Sequence, residues 1–247
     1  MTYCVGFLVE GGLAMIADTR TNAGVDNIST YRKLHRFDLA AGGFIAIATA
    51  GNLSVTQTAL NLLREGVKNP DSDKVETLDD VPTLFRAARL VGEAVRQVRK
   101  DIAPSLESES VSTEVTLLMG GRLNDGPLGL FLIYSAGNFI ECAPETPYLQ
   151  IGETKYGKPV LDRAISFKSA LWDVVKVGLV SFDSTLRSNL AVGLPLDLLV
   201  APRDPAAAVA TRRIESDDAY FRDLGQRWSG ALKAALAAIP PPDWGGE

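Results

Sequence analysis

Three residues near the amino terminus have types that do chemistry together. Thr2 is small enough to favour removal of Met1, which would leave a threonine carrying its own free α-amine. A hydroxyl alone is a weak nucleophile, but an adjacent amine can act as its general base. An α-amine titrates near pH ~7.7–8.0, and a nearby cation lowers that value by disfavouring the protonated form. Asp18 closes the apolar run 13–17 and so carries a carboxylate into or beside a core, where an isolated charge is costly. Lys33 follows fifteen residues later. An Asp18–Lys33 pair would hold an ammonium beside the Thr2 hydroxyl. Taken singly, each residue has an ordinary reading: small second residues are common, and lysines and aspartates usually meet water. The combination is what points to chemistry.

The elements that must position these groups can be read from periodicity and punctuation. Residues 2–9 and 13–17 are strand-like runs around Glu10-Gly11-Gly12, which predicts a hairpin. A polar stretch, 19–32, follows, and 44–48 is a short apolar run of buried-strand type that ends at Gly51. Helices are predicted over 53–67 and 82–103. In the second, Leu84, Ala88, Val91, Val95, Val98 and Ile102 recur at spacings of three and four, with Pro82 and Pro104 as punctuation. The polar linker 69–80 reads as a surface loop. Strands return at 114–120, 128–134 and 138–141, helical patterns at 155–165 and 168–183, a strand at 195–201 and a helix over about 216–238. Strands in blocks, not alternating with single helices, argue against a doubly wound parallel sheet. The expected fold class is α+β, a layered helix–sheet–sheet–helix sandwich. At 247 residues, one domain over 1–247 is expected, with a C-terminal helix and tail from about 202 to 247.

Composition narrows the function classes. The net charge of −5 and the absence of a basic stripe give no electrostatic footprint for nucleic acid. No apolar run reaches membrane-spanning length, and no signal-peptide pattern opens the chain, so a cytoplasmic protein without membrane partners is expected. Two cysteines, Cys4 and Cys142, fit a reducing compartment and exclude a cysteine-rich zinc site. The single histidine, His35, rules out a multi-histidine metal centre and reads as a surface or interface residue. Gly11-Gly12 and Gly42-Gly43 lack the Gly-Lys-Ser/Thr that would make a phosphate cradle. No metal or organic cofactor is expected.

A small second residue, a strand, a glycine turn, a strand ending Ala17-Asp18-Thr19-Arg20 and then Arg32-Lys33-Leu34 together resemble the proteasome β-subunits and the bacterial protease HslV, which are N-terminal-nucleophile hydrolases. The bacterial Anbu branch, the ancestral β-subunit, is closer still. Residues 1–6, 18–28 and 150–159 resemble its phrases, as does 181–192, SFDSTLRSNLAV; the likeness spans 1 to about 201. The resemblance implies a four-layer αββα sandwich, hydrolysis of peptide or amide bonds through an acyl-enzyme, and self-association into rings or open lock-washer assemblies. It implies Thr2 as nucleophile, Asp18 and Lys33 as its partners, and the Gly51 amide as oxyanion donor. Thr21, Tyr31, Thr49 and Leu53 would line the substrate pocket. Two departures stand out: the family's serine after a glycine is replaced by Glu153 after Gly152, and in the Asp-x-x-Ser-Gly phrase only Ser188 can be placed. Two other readings stay open, a non-hydrolytic structural subunit and an amidase or transferase of the same fold. Whether an unfoldase ATPase feeds the assembly is not readable.

Overall fold

Along most strands successive side chains enter different layers, because a strand's side chains alternate between its faces. The structure is a computed structural model that describes residues 2–22, 28–69, 74–107 and 111–244. The first half of the chain forms β1 (Tyr3–Val9), β2 (Gly12–Asp18), β3 (Arg20–Asn22), β4 (Ile28–Thr30), β5 (Leu34–Asp38), β6 (Gly43–Gly51), α1 (Leu53–Glu65), β7 (Val67–Lys68), β8 (Val75–Glu76) and α2 (Leu84–Glu107). The second half forms β9 (Val115–Leu123), β10 (Gly129–Tyr134), β11 (Phe139–Glu141), β12 (Tyr148–Gly152), α3 (Lys158–Ala164), α4 (Leu171–Ser188), β13 (Leu196–Pro202), β14 (Ala210–Ile214) and α5 (Ala219–Ala238).

Two five-stranded antiparallel sheets carry the fold, in the orders β12-β1-β2-β13-β14 and β11-β10-β9-β6-β5. On β1, Tyr3, Val5, Phe7 and Val9 face α3, α4 and α5, whereas Cys4 enters the layer between the sheets. On β6, Ile45 and Ile47 face α1 and α2, whereas Phe44, Ala46, Ala48 and Ala50 meet the other sheet. Three apolar layers therefore separate four layers of secondary structure, the expected αββα sandwich. Both faces of the central strands are covered, so β2 is buried at all seven positions.

Some expectations need correction. Helix α2 continues past Pro104 to Glu107; a proline removes one intrahelical hydrogen bond but does not forbid the last turn. The polar stretch 19–32 contains a short ribbon, β3 with β4, and the linker 69–80 supplies β8, which pairs with β7 just before it. Strands β12 and β14 were not expected from pattern, and β5 takes up the stretch at Lys33 that could run back as a neighbouring strand. β5, β12 and β14 are each an edge strand with only one neighbour; β5 and β14 are more than half polar, and β14 exposes four of five residues. Among the described residues no helix is long and apolar enough to cross a membrane.

Candidate active site

Strand register brings the first residues of the chain to the end of β2. The ladder that pairs Cys4 with Ala17 carries the chain start level with Asp18. On the other flank, Tyr3 pairs with Gly152 of β12. Thr2 thus sits at the mouth of the first sheet, half-buried, between the ends of two neighbouring strands. Met1 lies outside the described residues, as does 23–27 within the quoted phrase 18–28.

Asp18 is fully buried and accepts from three sides. Its Oδ1 takes the Tyr3 N–H at 3.0 Å and the Lys33 ammonium at 2.7 Å; its Oδ2 takes the Gly193 N–H at 3.3 Å. Lys33, 4% exposed, also donates to the Arg20 carbonyl. Burial pushes the Asp18 carboxyl up, and the Lys33 ammonium and the two amides pull against that shift. An ion pair this deep persists only because each charge has further hydrogen-bond partners. The pair fixes the lysine and leaves its charge poorly screened by water.

Beside the pair lies a cavity of about 350 Å³. Thr2, Lys33 and Gly51 line it together with Thr21, Thr49 and Leu53. Helix α1 starts at this wall because Asn52 caps it, its Oδ1 accepting the Val55 N–H at 3.2 Å; the cap sets Leu53 and, one turn on, Thr56 at the cavity. Gly51 has φ 103°, and a side chain there would meet the Glu114 carbonyl at 2.2 Å. Only glycine permits this turn from β6 into the helix.

Of the residues named from sequence, seven share this cavity or its buried pair: Thr2, Asp18, Lys33, Gly51, Thr21, Thr49 and Leu53. Two do not join them. Tyr31 is 41% exposed in the connection before β5 and is not part of the lining, its N–H held by the Thr19 carbonyl at 2.9 Å. Ser188 is the exposed last residue of α4 and also stays outside. Asp183, earlier on that helix, is occupied by Arg187 at 2.9 Å. Ala50, Thr56 and Gly152 line the cavity without having been named as site residues. Thr56 was findable, three residues after Leu53 on one helix face. Gly152 was not, because only strand pairing places it. The buried thiol of Cys4, pushed up by burial, lies in the inter-sheet core with its Sγ 3.9 Å from the Thr49 carbonyl. Among the described residues no cluster of His, Cys, Asp and Glu is arranged to hold a metal ion.

No family model matches this chain, and no curated protein does. Solved structures do. Anbu (ancestral beta-subunit) from Yersinia bercovieri is 40% identical, with a TM-score of 0.88, over 98% of this chain and 100% of that one. A Gly-1 mutant of Anbu from Hyphomicrobium sp. strain MC1 is 43% identical, with a TM-score of 0.88, over the same shares of the two chains. The Anbu chain described in a helical assembly of the Anbu complex from Pseudomonas aeruginosa is 40% identical, with a TM-score of 0.90, over 99% and 100%. With two-fifths of its residues shared end to end, and the same four layers, this chain belongs to the Anbu family of bacterial proteasome-like proteins.

Proposed function

We propose that the chain is a threonine-type N-terminal-nucleophile hydrolase of peptide or amide bonds, working as a subunit of a homo-oligomer. The observation that carries this reading is the meeting of Thr2 and Lys33 in one cavity, with Lys33 locked by Asp18 at 2.7 Å. Once Met1 is removed, the Thr2 Oγ1 attacks the substrate carbonyl carbon. Its proton passes to the free α-amine, directly or through a water. The Lys33 ammonium keeps that amine's pKa low and favours the developing oxyanion of the threonine. The Gly51 amide is the donor assigned to the carbonyl oxygen as it becomes negative; such preorganised donors often supply the largest catalytic term. The C–N bond then breaks, the leaving amine takes the proton from the α-ammonium, and an ester on Thr2 remains. Water adds to that ester by the same route and releases the acid. No step draws on a cofactor.

Intact mass and an acylating probe, a peptide β-lactone, test the reading on native protein. Loss of one methionine and labelling mapped to Thr2, abolished in Thr2→Ala, are expected. Retained Met1 with no labelling at any concentration would overturn it in favour of a structural subunit. Turnover of small amides but not peptides would move it to an amidase. Self-association is supported by the Pseudomonas aeruginosa relative's description in a helical assembly; a monomeric mass in solution would sink that part.

A further inference from the structure

The loop after α4 reaches the candidate nucleophile from both flanks. Thr2 precedes β1, so the strand ladder does not by itself hold it. Its carbonyl accepts the Glu153 N–H at 2.6 Å. The contact is backbone on backbone: Gly152 has φ 78°, and a side chain there would sit 2.0 Å from the Thr2 oxygen. Glu153 is itself 7% exposed. Its Oε1 accepts the Lys155 N–H at 2.7 Å and its Oε2 accepts the Asn189 side-chain amide at 2.8 Å. Asn189 closes α4, and its Oδ1 accepts the Ala191 N–H at 3.0 Å. Two residues on, Gly193 donates to Asp18, and the Leu190 carbonyl accepts from Arg20 at 2.9 Å. One loop therefore braces Thr2 through Glu153 on the β12 side and through Asp18 on the β2 side.

A buried carboxylate is costly unless its acceptors are filled, and here both fillers are amides of the segments that flank Thr2. We propose that Glu153 and Asn189 form a positioning pair that holds the Thr2 main chain in line for attack. The inference rests on Thr2 being the nucleophile. Neither residue is argued to touch substrate; both act through the Thr2 carbonyl.

The geometry dictates an exchange experiment. In Glu153→Gln the single amide oxygen can accept from the Lys155 N–H or from the Asn189 amide but not from both, so one donor is left facing an N–H, and Asn189 cannot flip to relieve it without losing Ala191. In the double variant Glu153→Gln, Asn189→Asp the glutamine donates to the new carboxylate, which still accepts from Ala191. The readout is the first-order labelling rate of Thr2 by the β-lactone at saturation, separated from the probe concentration giving half that rate, with Tm measured alongside. Glu153→Gln and Asn189→Ala are expected to slow labelling about 10- to 100-fold at a half-saturating concentration changed less than about twofold, since small misplacements of a reacting group cost rates of this order. The double variant is expected to return to within about threefold of the parent. Single variants that label at the parental rate would overturn the pair. So would a double variant that regains Tm but not rate. A single variant that fails to fold leaves the double variant to decide by the same criterion. Parent protein that never labels at Thr2 overturns the nucleophile reading and this inference with it, whereas a labelled parent with indifferent variants overturns this inference alone.

Discussion

Of two charged recesses among the described residues, the Thr2 cavity and a groove rich in arginine, the smaller one holds the candidate chemistry. The Thr2 cavity, about 350 Å³, has a single lysine paired with a single aspartate. Between the edge strands β5 and β14 lies a groove of about 490 Å³ with four arginines, Arg32, Arg36, Arg212 and Arg213, and the acids Asp38 and Asp197. Number of charges does not decide which recess can steer a reaction. The side chains of Arg32 and Arg212 are each 64% exposed, and water screens them; Lys33 is 5% exposed beside an acid at 0%. The same unit charges interact several-fold more strongly when dry than when wet. The groove is a solvated face, and the cavity is where a field is held.

The comparison breaks most visibly if the buried pair proves dispensable. Asp18→Ala leaves the Lys33 ammonium buried without its carboxylate, and a loss of about 3–5 kcal/mol is expected from urea unfolding. Thr2 labelling should fall by about 100-fold or more in Lys33→Ala, the scale seen when one preorganised electrostatic donor is lost. An effect below threefold would place the field elsewhere. Packing beneath the site comes next: Ile47, fully buried between β6 and the helices, should cost about 2–5 kcal/mol when cut to alanine, read in the same unfolding assay.

In the groove, Arg36→Ala removes an ion pair to Asp38 whose members are 34% and 70% exposed. A change of at most about 1 kcal/mol is expected, shrinking further with added salt. A larger loss would mean the groove is not solvated in the assembled protein. The smallest effect concerns His35 on β5. Burial, then the charges of Arg64 and Arg32, hold its pKa below the ordinary 6.5. The folded protein therefore binds that proton more weakly than the unfolded chain does. The stabilisation is complete above about pH 6.5 and declines as pH falls from there toward the lowered value. Tm should drop more steeply over that window in the parent than in His35→Gln; parallel curves would contradict it.

Legibility differed between kinds of element. Both long-period helices and the strands buried on two faces announce themselves, because α2 repeats its apolar positions at three and four and β2 is an unbroken apolar run. The edge strands β12 and β14 do not, although β11 at another edge was marked by the turn before it. The site divides the same way. Thr2, Asp18 and Lys33 stand out because their types demand an explanation, and residues along α1 follow from helix geometry once Leu53 is placed. Ser188 looked plausible from its neighbours in the chain, yet the helix end turns it to solvent and puts Asn189, not the serine, against Glu153.

By itself the chain dictated the periods, the turn glycines and the need for a buried acid to find a cation, all of them local or pairwise demands. Spacing offered Lys33 as that cation, and the folded sandwich decided how close the pair lies and which neighbours hold it. The register of β1 against both β2 and β12 brings residues 18 and 152 to the start of the chain, and the loop after α4 closes over them. The β1–β2 hairpin is local and legible, but the pairing of Tyr3 with Gly152 and the bond from Gly193 to Asp18 each span more than a hundred residues, and no local pattern carries them, because each is fixed by layers packing together.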